Sequence, residues 1–548
     1  MRSEPLIPAE TPEPAATPPL TDGRAVPWVV GRAVTRVDHL NARGEAVGVV
    51  ERWLTQPSEA DWVLVHGPRA PEAPLPSECA FVGGLPGETV EVDVIWPTPR
   101  PGRPRARRTP EPRIRVRAVS APAPERVPAR CLVFGECGGC QLQHLAYDQQ
   151  LAWKTARVAG LARQAGLEDV AVAPAIGCDD PWNYRNHMRF SVDRDGRPGL
   201  TARGSHRVLP LRACPIAHPL INAALDILAD APLARPQLLL RCGTATGQVL
   251  VQPTPAPELA ARLRDAGLDL RTQDLAEELA IPHEQPPEAA SPPGIHASST
   301  VSRPFTTAEA GQTPLSPRGV GAPLSPRGVG ASGGRLEAPE ARIQTPLSRR
   351  DGEGVGVPHW GLGGGGSSRR ARFSIRPSSF FQTNTAQANR MAELVLAGLP
   401  TGPDVTLVDA YCGVGTFAAL MAPRVGRVLA IEESASAVRD ARVNLDAYPN
   451  VAIVQGKAEV VLPTLTERLD GLVIDPPRAG CGRPVLDALV ARRVPRVVYV
   501  SCDPTTLVRD LAYLCRETGA YRVVGLQPLD MFPQTAHIET IATLEVAP

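Results

Sequence analysis

The chain has 548 residues, a formal net charge of +1 and eleven cysteines, a length that predicts two or three domains rather than one. No run of eighteen apolar residues occurs, which excludes a recognisable membrane-spanning helix, and the Pro-, Glu- and Thr-rich start lacks the basic and apolar blocks of a secretory signal. The expected location is therefore cytoplasmic, where so many cysteines point to metal-binding or catalytic thiols, and the near-zero charge means that any nucleic-acid surface must come from local patches.

Residues 1–25 read as a disordered tail. From 26 to 120, short alternating apolar segments are broken by Gly and Pro, the pattern of a small OB-like β-barrel, with a Pro-rich insertion over 54–78. Eight arginines and one acid, Glu111, fall between Arg100 and Arg117; guanidinium forks in such a run suit phosphates. A central α+β domain is expected over 121–281. It carries Cys131, Cys137 and Cys140 in a C-x5-C-x2-C loop with glycines that let the backbone wrap a metal centre, and Cys214 offers a distant fourth ligand. Four thiolates suit either zinc or a cubane iron–sulfur cluster. Residues 149–164 read as an amphipathic helix and Asn183–Val192 as one polar-faced, exposed strand.

Residues 282–370 contain near-repeats of TPLSPRGVG and a glycine run, a composition that cannot bury enough apolar surface to offset its ordering entropy; they read as a disordered insertion. A βαβ pattern then begins, predicting an α/β Rossmann-like domain over 371–548. Its first turn, Asp409-x-x-x-Gly413-x-Gly415, followed by Glu432, fits the S-adenosylmethionine version of the nucleotide-binding turn, with the carboxylate accepting from ribose hydroxyls. Val497–Val500 reads as a buried strand broken by Ser501-Cys502-Asp503-Pro504, so Cys502 stands where a strand ends and a helix begins. Helix dipoles there are expected to favour its thiolate.

Taken together, FGECGGCQLQH, FFQTN, DAYCGVGTF, IDPPRAG, VYVSCDP and DMFPQTAHIE, in that order, resemble the RNA (uracil-5-)-methyltransferases, specifically their iron–sulfur ribosomal RNA branch. The resemblance runs from about residue 29 to the C-terminus, omitting 282–370. It implies an N-terminal TRAM domain that binds RNA and a [4Fe-4S] cluster on Cys131, Cys137, Cys140 and Cys214. It also implies S-adenosylmethionine contacts from Gln382, Tyr411, Glu432 and Asp475, with Thr416 near the cofactor. Lys457 departs from the family at the adenine position, and no contact is carried over there. Uracil C5 is a poor nucleophile, and a thiolate adding at C6 creates electron density at C5. Cys502 is the expected nucleophile and Glu539 the expected general base, with His537 the weaker candidate; Asp475 and Arg478 could meet the polar edge of the base. The expected product is 5-methyluridine in large-subunit ribosomal RNA, made by a monomer with no membrane or DNA partner. Transfer RNA is the alternative substrate, and a catalytically retired RNA-binding or ribosome assembly factor is the reading from a different class.

Overall fold

The structure is a computed structural model that describes residues 28–56, 77–97, 112–280 and 370–548. The expected tail at 1–25, most of the Pro-rich stretch, the basic run from Arg100 to Glu111 and the insertion from 282 to 369 lie outside the described residues. The chain divides into two compact units, one running to Pro124 apart from residues 42–44, the other holding those three residues and everything from Glu125 onward.

The first unit is a five-stranded antiparallel sheet built from β1 (Trp28–Leu40), β2 (Ala46–Thr55), β3 (Glu78–Phe81), β4 (Thr89–Pro97) and β5 (Arg113–Val119), in the order β3-β2-β1-β4-β5. Long β1 pairs with both β2 and β4, and register shifts along its β2 edge curl the sheet. Edge strands β3 and β5 thereby come into contact around Ala33, Val37, Phe81, Val90, Val92 and Trp96. The described arginines of the basic run are turned partly inward. Arg115 and Arg117 join Arg32 in pairing with buried Asp93, so those two guanidiniums have a partner within the sheet.

The second unit contains α1 (Tyr147–Gln164), which packs against the strand Tyr521–Leu529 and the helix Pro504–Ala512, and two large sheets, one six-stranded and one seven-stranded. The smaller sheet contains β6 (His187–Val192), β7 (Pro198–Thr201), β8 (Val208–Pro210), β9 (Gln237–Cys242), β10 (Gln248–Gln252) and β11 (Asp269–Arg271), ordered β11-β10-β9-β6-β7-β8. Helices α2 (Pro219–Leu228) and α3 (Pro257–Asp265) contribute Ile221, Leu225, Leu259 and Leu263 to its core. The expectation of an exposed strand at 183–192 is corrected here. Asn183 takes a left-handed φ of 54° and delays the strand to His187. The strand then runs inside the sheet between β9 and β7, with Met188 and Phe190 in the core. A two-stranded ribbon follows, β12 (Leu275–Ala280) antiparallel to β13 (Arg370–Ile375), with Ala280 opposite Arg370.

After α4 (Thr385–Ala397) come β14 (Gly402–Ala410), α5 (Thr416–Met421), β15 (Val425–Glu432), α6 (Ala435–Leu445), β16 (Val451–Gln455), α7 (Ala458–Thr464), β17 (Gly471–Ile474), α8 (Arg483–Arg492), β18 (Arg496–Ser501), α9 (Pro504–Ala512), β19 (Tyr521–Leu529) and β20 (Glu539–Val546). The sheet order is β16-β15-β14-β17-β18-β20-β19. The first five strands are parallel and nearly all apolar because helices cover both faces. β20 runs antiparallel between β18 and β19. Connections leave β14 in one direction and β17 in the other, which opens a crevice at the carboxyl ends of those two strands. The outer edge of β19 is covered by residues 172–176, through Ala173 N–H to Leu526 O (2.9 Å) and Ile176 N–H to Pro528 O (3.0 Å).

The turn between β19 and β20 is fixed to α1 by a fully buried ion pair. Lys154 Nζ donates to Asp530 Oδ1 at 2.6 Å, with both side chains 0% exposed, and also to Phe532 O at 3.2 Å. Burial lowers the Lys154 pKa and Asp530 opposes that shift. Removing one partner strands a charge, so Lys154→Ala should cost about 3–5 kcal/mol, while Lys154→Met with Asp530→Leu should recover most of the loss. Thermal unfolding of the three proteins reads this directly.

Candidate active site

Every parallel strand of the large sheet delivers its last residues to the crevice. β14 leads into Tyr411, whose backbone is left-handed (φ 65°), then Gly413 (φ 57°) and Gly415 (φ 87°). A Cβ at Gly415 would sit 2.7 Å from Leu445 Cδ1, so position and conformation both require glycine there. Glu432 ends β15, and its two carboxylate oxygens accept from Gly413 N–H (3.0 Å) and Ser434 N–H (2.7 Å), bracing the glycine turn. Tyr411 donates its hydroxyl to Glu459 at 2.9 Å, a partner the sequence did not signal. Thr416 is half-buried as the first residue of α5, and Lys457 caps α7 on the surface, 4.0 Å from Glu433.

Gln382 enters from a different direction. Its neighbour Phe381 packs with Val414, Phe417 and Met531 in one core. Its backbone carbonyl accepts from Asn186 at 3.1 Å, while its half-buried amide meets no described protein partner.

Asp475 follows β17 and Cys502 follows β18. Because β20 is reversed, the start of that strand lies beside the end of β18, with Ser501 opposite Thr540. That register brings Glu539 next to Cys502, although 37 positions separate them in the chain. The proximity is electrostatic as well: Glu539 and Asp475 raise the Cys502 thiol while Arg478 lowers it. Burial is the largest influence on all three acids. It pushes Cys502 to about 11 and Asp475 to about 7. Glu539, 3% exposed, is raised well above the ordinary range by burial and then by Asp475.

Backbone N–H at the strand-to-helix turn does act on Cys502 in the lowering direction, as expected, but burial and the two carboxyls outweigh it. Asp503 caps α9, accepting from Thr505 N–H at 2.9 Å. What remains around the sulfur is dominated by burial and two carboxyls. Cys412 and Cys481, the other thiols near the crevice, are both buried and shifted further upward, whereas Cys502 keeps a half-exposed face. His537 is exposed, yet desolvation and the cations Arg478, Lys154, Arg157 and Arg185 push it down to about 4, so it is a neutral imidazole at neutral pH.

The four cysteines singled out in the sequence line one cavity of about 190 Å³, together with Arg185 and Arg189. Cys137 and Cys140 sit on a loop held by Gly138 N–H to Thr201 O (3.3 Å). Cys131 N–H donates to Gln143 (3.1 Å), and Cys214 is gripped at both backbone ends by Asn222 (2.9 and 3.1 Å). Burial raises all four thiols, Cys140 to about 12. Among the described residues, no three His, Cys, Asp or Glu side chains converge as ligands of a single metal ion.

A Rossmann-like sheet with its glycine turn, acidic strand end and carboxyl-lined crevice defines an S-adenosylmethionine-dependent methyltransferase. A family model described as tRNA (uracil-5-)-methyltransferase matches residues 367–546. An uncharacterized RNA methyltransferase of Thermosynechococcus vestitus is 34% identical over 449 residues, covering 78% of this chain and 87% of that protein. One from Gloeobacter violaceus is 32% identical over 486 residues, covering 84% and 90%. The chain belongs to the RNA (uracil-5-)-methyltransferase family and is an enzyme acting on RNA. In fold it is similar to the Pyrococcus abyssi tRNA (uracil-54, C5)-methyltransferase solved with S-adenosyl-L-homocysteine (TM-score 0.54, 20% identity, 93% of this chain and 99% of that one). No helix among the described residues is long and apolar enough to cross a membrane.

Asp409 lies beneath the crevice, fully buried. Its Oδ2 accepts from Ala418 N–H at 2.8 Å while Oδ1 has no partner, and burial raises its pKa to about 8. A carboxyl raised in the folded state destabilises progressively as pH climbs from its unfolded value, near 4, through its folded value. Asp409→Asn should therefore melt several degrees higher than the parent at pH 8 and nearly level with it below pH 4. The shift corresponds to at most about 5 kcal/mol, and calorimetry across that range measures it.

Proposed function

We propose that the enzyme forms 5-methyluridine in large-subunit ribosomal RNA through a covalent bond between Cys502 and uracil C6. The observation that carries the chemistry is the antiparallel register that sets Glu539 beside Cys502, with Asp475 and Arg478 close enough to shift both. The four-cysteine cavity, the mark of the iron–sulfur branch in the resemblance, favours ribosomal over transfer RNA. In this reading Cys131, Cys137, Cys140 and Cys214 hold a [4Fe-4S] cluster in the cavity they line. The curled five-stranded sheet is the TRAM-like RNA-binding domain.

S-adenosylmethionine supplies an electrophilic methyl group, and Gln382, Tyr411, Glu432 and Asp475 are the residues that would hold it, with Glu432 facing ribose hydroxyls. The target uridine is extruded from its stack to reach the crevice. Cys502 gives up its thiol proton to solvent at its half-exposed face, and its sulfur bonds to C6, moving the C5–C6 π electrons to C5 and the adjacent carbonyl. Arg478 stabilises both the thiolate and the ionised Glu539. Asp475 with its proton near neutrality can donate to a uracil carbonyl, offsetting the enolate charge. Once C5 is methylated, the Glu539 carboxylate takes the C5 proton, the C5–C6 double bond re-forms, and the C6–S bond breaks to return the thiolate.

Cys502→Ala should abolish adduct and methylation together. Glu539→Gln should slow turnover by about 10²–10⁴-fold and leave enzyme joined to methylated RNA, visible as a labelled band on a denaturing gel. Cys502 and Glu539 must both ionise and both are raised, so turnover should climb with pH from 6 towards 9. A flat profile would contradict these roles. For the substrate, mapping 5-methyluridine in a strain lacking this gene should show its loss from ribosomal RNA; loss from transfer RNA instead selects the alternative. Protein purified without oxygen should carry about four irons, and stoichiometric zinc without iron would overturn the cluster.

A further inference from the structure

The turn that carries the chain from β19 to Glu539 is anchored by the cysteine loop and α1, with further bonds from Ile176, Cys178, Tyr184 and Asn384. Gln534, itself left-handed at φ 68°, accepts at its backbone carbonyl from Gln141 N–H (3.1 Å) and Leu142 N–H (3.0 Å). Its side-chain carbonyl accepts from buried Gln150 (3.1 Å), and its backbone N–H donates back to the same amide (3.1 Å). Tyr184 donates to Pro533 O (3.0 Å) and Arg157 to Ala536 O (2.8 Å). Gln150 bridges Leu142 O and Gln534, and Gln141 makes the bridge that lies next to the cysteines themselves. Gln141 directly follows Cys140. Its amide NH₂ donates to Gly138 O, between Cys137 and Cys140, at 3.2 Å, while its carbonyl oxygen accepts from Ala536 N–H at 3.2 Å. One planar amide thus spans the cysteine loop and the backbone three residues before Glu539.

We propose that Gln141 is a positioning residue for the proton-abstracting carboxyl: its side-chain carbonyl, accepting from Ala536 N–H, fixes the backbone that leads into Glu539. This inference rests on the covalent mechanism above. Glu539 acts only after methyl transfer, when the C5 proton passes to its carboxylate and the C6–S bond opens. An error in its placement therefore slows resolution of the methylated adduct and spares addition and methyl transfer. A residue that merely stabilised the fold would weaken all three steps together.

The test compares Gln141→Met, similar in length but without a carbonyl acceptor, with Gln141→Glu, whose carboxylate still accepts from Ala536 N–H. Both are made in the full chain, with Gln141→Ala in reserve should methionine disturb the loop. Gln141→Met should lower kcat roughly ten- to a hundredfold, as displacement of a catalytic group by a fraction of an ångström to 1 Å does, with KM for RNA unchanged. It should accumulate labelled methylated adduct on a denaturing gel and show faster deuterium uptake over residues 534–538. Gln141→Glu should resolve the adduct at close to the parent rate. The inference falls if Gln141→Met resolves adduct normally, if Gln141→Glu traps as much adduct as Gln141→Met, or if adduct formation itself declines. Glu539→Gln is run alongside. No adduct from that variant overturns the assignment of the base, whereas adduct from it and none from Gln141→Met overturns only the role of Gln141.

Discussion

A single buried ion pair constrains the catalytic half of this molecule. Lys154 and Asp530 meet with both side chains fully enclosed by protein, and they join α1 to the turn from which β20 starts. The chain has only two lysines against a large excess of arginine, and one of them is spent at its most enclosed cationic site. A compact ammonium with three rotatable donors can serve Asp530 and Phe532 O together, where a planar guanidinium would demand a wider slot. Were this pair not satisfied, the turn would have to open to hydrate two charges. Glu539 would then lose the fixed origin of its strand.

The second organising feature is the reversal of β20. A sixth parallel strand at the same place would begin at the opposite end of the sheet. Its first residue would then lie far from the strand ends that carry Tyr411, Glu432, Asp475 and Cys502. Running antiparallel, the strand gathers a carboxyl from the last part of the chain into the same enclosure. The enclosure has an electrostatic cost, visible in the upward shifts of Asp409, Asp475, Cys502 and Glu539. Arg478 is exposed beside this acidic floor, with Arg157 and Arg185 close enough to act on His537. A polyanionic substrate would meet these cations before the buried carboxyls.

Much of this architecture is written locally in the sequence. The Asp409-to-Gly415 turn is legible because only glycine tolerates the φ of 87° and the Leu445 contact at 415. Cys502 at a strand-to-helix junction follows from an apolar run cut by Ser-Cys-Asp-Pro. The helix entry at Asp503-Pro504 is legible too, but the ionisation of Cys502 is not, since the sequence is silent about which carboxyls face the sulfur. The reading of 183–192 failed for a related reason. Alternating polar residues describe an exposed strand equally well as a central one, and Asn183 can be seen to break the strand only from its backbone angle. The meeting of Gln141 with Ala536, 395 positions apart, has no local signature. Both stretches stand out as motifs, yet spacing within a motif says nothing about its neighbour in space.

The ribbon of β12 and β13 gives the molecule a socket. Ala280 and Arg370 face each other across an antiparallel register, so the intervening chain departs and returns at one spot, and the ladder beneath it is closed whatever that chain contains. Lengthening a connection there adds only a slowly growing logarithmic penalty, about 0.6 kcal/mol for each doubling. Lineages can therefore extend, shorten or replace the segment without renegotiating the sheet or the crevice. A folded cargo with adjacent termini, such as a fluorescent reporter or an affinity module, could be spliced in at the same place.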